Sequence, residues 1–116
     1  MSDLSEWNSQ VRRGVLELCI LALVEREPQY GYEIVTRLSD APQLAAGEGT
    51  IYPLLRRLKK DGWVETYWQE SGVGPPRQYY RLTPVGHAAL KAMQGEWTQL
   101  VASVNRYLSG GGSTHA

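Results

Sequence analysis

Apolar positions along this chain keep a helical spacing through its first half, change to alternation, and return to a helical spacing near the end. From about Gln10 to Glu27, the residues Val11, Val15, Leu16, Leu18, Cys19, Ile20, Leu21, Leu23 and Val24 cover most of a helix surface, which predicts a central helix buried on more than one side. Pro28 marks a boundary, and Tyr30, Ile34, Val35 and Leu38 then predict a second helix. The stretch from Ala41 to Gly47 carries Pro and Gly and reads as a turn. In the third helix Ile51, Leu54, Leu55 and Leu58 form a buried stripe at i, i+3, i+4 and i+7, leaving Thr50, Tyr52, Arg56, Arg57, Lys59 and Lys60 outward. Gly62 is its expected stop, and Lys59 and Lys60 complement the helix dipole.

Beyond Gly62, Val64, Thr66 and Trp68 alternate with Glu65, Tyr67 and Gln69 and predict a strand. Ser71 to Pro76 supplies turn chemistry, and Arg77 to Leu82 resumes as a second strand of a hairpin. Thr83 and Pro84 suit the cap and first position of a final helix, expected from Pro84 to Leu108. The predicted class is mainly α with a small β-hairpin, a winged helix-turn-helix followed by a long C-terminal dimerisation helix. Residues 1–9 are expected to be an arm or the loose start of the first helix, 10–82 the winged helix-turn-helix, 83–108 the dimerisation helix, and 109–116 a flexible tail. Another small α+β arrangement remains the alternative.

Composition allows one folded domain: 42% of residues are hydrophobic, with four Trp and seven Tyr to build a core. The formal net charge is +0, yet its distribution is uneven. Residues 1–49 hold four bases against eight acids, whereas residues 50–91 hold seven bases against three acids. Positive potential therefore gathers on the third helix and the hairpin, either to meet nucleic acid or as an ordinary solvated face. Cys19, the single cysteine, lies in an apolar run and reads as a buried, inert thiol. That run is about ten residues long, too short to span a bilayer. No signal peptide is recognised, and a cytoplasmic protein without membrane contact is expected. No Cys, His and carboxylate cluster has metal-ligand spacing and no phosphate-binding Gly loop occurs, so neither catalysis nor a cofactor is expected.

The candidate contacts to double-stranded DNA are Tyr32, Thr50, Tyr52, Arg56, Lys59 and Arg77. Thr50 and Tyr52 carry hydroxyls at the start of the third helix, Arg56 lies one turn beyond Tyr52, and Arg77 follows the hairpin tip as a wing residue does. Tyr79 and Tyr80 are read as sheet packing in preference to DNA contact. In the last helix Leu90, Trp97 and Val104 recur every seven residues, and Met93, Leu100 and Tyr107 recur at the complementary position. This seam predicts a homodimer interface, on the reasoning that the first helix is already used by the three-helix core. Gly95 weakens the helix by ~1 kcal/mol unless a partner approaches closely there.

Taken together, Gly14 to Leu23, Tyr30 to Ile34, Glu48 to Leu58, Asp61-Gly62 and Arg77 to Gly86 make the chain similar to the PadR family of bacterial transcriptional regulators, over about residues 11–108. The resemblance implies a dimeric winged-helix repressor released by a small-molecule effector. In multidrug-responsive members with one C-terminal helix, a tryptophan from each subunit lines a pore and stacks on flat aromatic drugs. Trp97 falls at the matching place, with Met93, Leu100 and Val101 around it as the candidate ligand site. Packing of Trp97 in a pore filled by Met93 and Leu100 is the alternative. A winged-helix module for protein contacts, and a drug-binding protein without an operator, are the rival functions.

Overall fold

The computed structural model describes residues 4–44 and 46–110. Its elements are α1 (Ser5–Arg26), β1 (Gln29–Tyr30), α2 (Gly31–Leu38), a short 3-10 turn (Pro42–Leu44), α3 (Glu48–Lys60), β2 (Val64–Gln69), β3 (Arg77–Leu82) and α4 (Pro84–Leu108). Residues 5–9, expected as an arm or loose helix start, are the first turns of α1. Of the expected tail, residues 111–116 lie outside the described residues.

The core is built where the periodicity placed it. Leu16, Ile20, Leu21 and Val24 of α1 meet Ile34, Val35 and Leu38 of α2 and the stripe Ile51, Leu54, Leu55 and Leu58 of α3. Gly62, at φ +78°, ends α3: its N–H donates to the Lys59 carbonyl and that of Trp63 to the Leu58 carbonyl, the paired bonds of a Schellman stop. The chain leaves directly into β2.

The sheet differs from the expected hairpin. It has three antiparallel strands in the order β1-β3-β2, with Gln29 opposite Tyr80 and Tyr30 opposite Tyr79. Tyr30, expected inside the second helix, instead ends β1, and α2 starts one residue later with the Glu33 carboxylate accepting from the Tyr30 backbone N–H at 3.4 Å. A two-residue strand carries no alternation, so pairing to β3 alone reveals it. Buried Gln29 fixes this strand by donating from Nε2 to the Leu23 carbonyl at 2.8 Å.

Thr83 caps α4 as its sequence position suggests: its Oγ1 accepts from the Gly86 N–H at 2.9 Å and donates to the Gly62 carbonyl at 2.6 Å. One hydroxyl thus ties the start of α4 to the end of α3. Gly86 permits this approach, because a Cβ there would run into the Trp63 carbonyl.

Candidate nucleic-acid interface

The core-facing stripe of α3 decides which of its polar residues remain available. Arg56, Lys59 and Lys60 are exposed on the side away from the core. Thr50 is exposed too, but it faces the α1 side of the helix beside Arg57 and lines a different cleft from Tyr52. Arg57 faces outward as expected and is also ion-paired to the largely buried Glu17 of α1. That pair pins the recognition element to the central helix.

Tyr32, Tyr52 and Arg77, taken from α2, α3 and the sheet, converge around a small cleft of about 180 Å³ with Tyr30, Gln78 and Tyr80. Tyr52 is half-buried over Gly31, and burial raises its hydroxyl above the usual tyrosine range, followed by the negative charge of Glu48 and by Tyr32. The buried Tyr80 hydroxyl is raised in the same way by burial and by Tyr52, while the nearby Arg56 charge opposes the shift. Both phenols therefore stay protonated near neutral pH, and the half-buried Tyr52 keeps a hydroxyl proton that can be donated.

The outer sheet face carries an aromatic and cationic ladder. The Arg77 guanidinium lies 4.4 Å from the Tyr30 ring centroid, Tyr30 meets Tyr79 edge-on at 5.5 Å, and Tyr79 stacks on Tyr67 at 5.6 Å. Arg81 continues the ladder over Tyr67 at 4.6 Å and pairs with Glu65 at 2.9 Å. Tyr79 and Tyr80 are packing residues, as read from the sequence. Arg77 is held against the sheet by its stack, so the planar edge of its side chain is oriented before any ligand arrives. Gln78 was not anticipated; its cleft joins residues distant in sequence, and no local spacing signals it.

The seam of α4 is divided. Leu90, expected at an interface between subunits, is 1% exposed within its own chain, and Met93 packs half-buried against the same core. The correction has a simple cause: α1 presents more than one apolar face, and the first turns of α4 lie across it. From Trp97 onward the seam is uncovered, with Trp97, Leu100, Val104 and Tyr107 exposed and Val101 half-buried. Leu4, which caps the start of α1, and Trp7 and Val11 within it are exposed as well, at the i, i+3, i+7 spacing of a single face. Among the described residues no group of His, Cys, Asp or Glu could hold a metal ion, and no helix is long and apolar enough to cross a membrane. Burial raises the thiol of half-buried Cys19, which keeps it protonated.

Three helices, a strand-paired wing and a recognition helix with basic residues on its free side define a winged helix-turn-helix DNA-binding protein. The family model of the transcriptional regulator PadR-like family matches residues 20–92, and the chain belongs to that family. A PadR-like transcription factor from Bacteroides fragilis is 42% identical, with a TM-score of 0.71 over 87% of this chain and 97% of that one. A PadR-like transcriptional regulator from Bacillus cereus is 38% identical, with a TM-score of 0.78 over 85% and 96% of the two chains. A protein of Lysinibacillus sphaericus is 32% identical over 104 residues, covering 88% of this chain and 95% of its own length. The protein is a DNA-binding transcriptional regulator.

Proposed function

We propose that this regulator acts in the cytoplasm as a homodimeric repressor at a pseudo-palindromic operator and is released by a small effector. The observation that carries the dimer is the uncovered apolar face from Trp97 to Tyr107. A helix of 25 residues whose second half has no cover within its own chain is matched by a second copy of itself, with Leu4 and the α1 residues Trp7 and Val11 extending the apolar surface. The DNA-binding unit is residues 10–82, and α4 is the dimerisation helix.

In this reading Tyr52, Arg56 and Lys59 of α3 enter the major groove with Tyr32 beside them, Thr50 meets the backbone at the helix start, and Arg77 holds a flanking phosphate. Exposed Trp97, with Met93, Leu100 and Val101 nearby, supports a slot between two symmetry-related indoles for a flat aromatic or cationic compound. Such a compound releases DNA only by favouring a dimer geometry whose recognition helices no longer match the half-sites.

Gel-shift titration against a genomic fragment library tests the operator. A fragment that outcompetes random DNA is expected, with half-sites ~10 bp apart. No preferred fragment would exclude a specific operator and favour a protein-contact module. Calorimetry with planar compounds on Trp97→Ala tests the slot: loss of ligand with operator binding kept is expected, and unchanged ligand affinity would make Trp97 a packing residue.

A further inference from the structure

The helix α3 has one free face with an edge on either side. At about 100° per residue, the exposed Gly49, Pro53, Arg56 and Lys60 lie opposite the core stripe, and Tyr52 and Arg57 flank them at about 70° to each side. Tyr52 borders the cleft formed with α2 and β3, whereas Arg57 borders α1. By position alone, the long cationic side chain of Arg57 is as well placed to meet a phosphate as the hydroxyl of Tyr52. Its partner sets it apart. Among the described residues Arg57 is the one base of α3 held in an ion pair.

That pair is lopsided: the Arg57 side chain is 48% exposed and that of Glu17 only 14%. An ion pair between two exposed groups is weak and exchanges readily with other ions. Here the carboxylate has lost most of its hydration, so taking Arg57 away leaves a poorly solvated, unpaired charge on α1. A phosphate that approaches Arg57 must compete with that cost.

We propose that Glu17 is a brake on sequence-independent DNA binding: it holds the Arg57 guanidinium away from phosphate, so that α3 presents Arg56, Lys59 and Lys60 without a fourth charge. Sequence-independent affinity is made of phosphate contacts and grows with each one neutralised. One withheld arginine therefore weakens binding to DNA of any sequence and leaves the base-edge contacts of Tyr52 and Arg56 as they are. The assignment rests on the placement of α3 in the groove and needs neither the dimer nor the effector.

Fluorescence anisotropy of the full chain on a short duplex of random sequence, over a salt series from about 50 to 200 mM, tests the brake. Glu17→Gln keeps the size of the side chain and removes its charge. It should bind roughly threefold to tenfold more tightly at about 0.1 M salt, with the slope of log affinity against log salt steeper by about one unit. Glu17→Gln/Arg57→Gln, whose net charge equals the parent's, should return to the parent slope. Circular dichroism and thermal melting check the fold of each variant. An unchanged or shallower slope in Glu17→Gln, or a steeper one that persists in the double variant, would overturn the assignment. Should Glu17→Gln fail to fold, Arg57→Gln decides: a parent slope upholds the brake, and a slope shallower by about one unit means that Arg57 already touches phosphate and overturns it. Arg56→Gln is the control for the groove placement. If it leaves random-duplex binding unchanged, that placement fails and the brake with it; if it weakens binding while Glu17→Gln keeps the parent slope, the brake alone fails.

Discussion

The ring of Tyr52 lies over Gly31, so closely that a Cβ on Gly31 would stand 2.6 Å from Tyr52 Cε1. The first residue of α2 thereby sets the position of a hydroxyl on the recognition helix. Gly86 makes a similar approach to a different kind of neighbour, the backbone carbonyl of Trp63. A ring can swing aside, whereas a carbonyl fixed in the α3 to β2 turn cannot.

Gly31→Ala is therefore expected to leave stability within about 1 kcal/mol, because the helix preference of Ala offsets part of the crowding. It should displace Tyr52 and weaken operator binding as much as Tyr52→Phe does, by ~1 to 3 kcal/mol for a lost base-edge contact. Gly86→Ala should instead destabilise by about 1 to 3 kcal/mol or more, since backbone must move. Urea denaturation of the two variants checks the order; a larger loss in Gly31→Ala would contradict it.

Removing the wing charge should act on all DNA alike. Arg77→Ala is expected to weaken specific and random sequences equally and to lower the slope of log affinity against log salt by about one unit. Arg77→Lys should restore the slope while losing the stack on Tyr30. Fluorescence anisotropy over a salt series measures both, and an unchanged slope in Arg77→Ala would rule out a phosphate contact.

The divided seam of α4 separates two variants that look alike in sequence. Val104→Asp places a charge on the uncovered half and should give folded monomers with much weaker operator affinity. Leu90→Ala opens a cavity in the chain's own core and should cost about 2 to 5 kcal/mol in stability. Sedimentation and melting of each tell them apart. An intact Val104→Asp dimer would place the interface elsewhere.

Alkaline pH should reveal the buried Tyr80 and half-buried Tyr52 phenols. The folded chain holds the hydroxyls of Tyr52 and Tyr80 above their ordinary value of 10.0, and the Cys19 thiol above its ordinary 9.0. Above those ordinary values the unfolded chain loses protons that the folded chain retains, so the contribution of these three groups to stability is constant through neutrality and falls as pH rises past about 9. Tyr80→Phe should flatten part of that fall in urea midpoints measured from pH 6 to 11. A stability that rises over this range would contradict the burial of these groups.

Helix identity and the core were legible from spacing, because Ile51, Leu54, Leu55 and Leu58 declare one buried face wherever the helix is placed. The stop at Gly62 and the cap at Thr83 were legible for a related reason: left-handed backbone and an orphan N–H are local demands met by single residue types. Tertiary structure alone decided the rest. Whether Leu90 served another subunit or its own core depended on how α4 crosses α1, a choice that periodicity leaves open. Whether Tyr52 stood free or rested on Gly31, and whether the exposed Arg57 also reached Glu17, depended on the angle between helices. The pairing of Gln29 and Tyr30 with β3 depended on backbone groups, which every residue but proline carries alike and which no side-chain pattern reports.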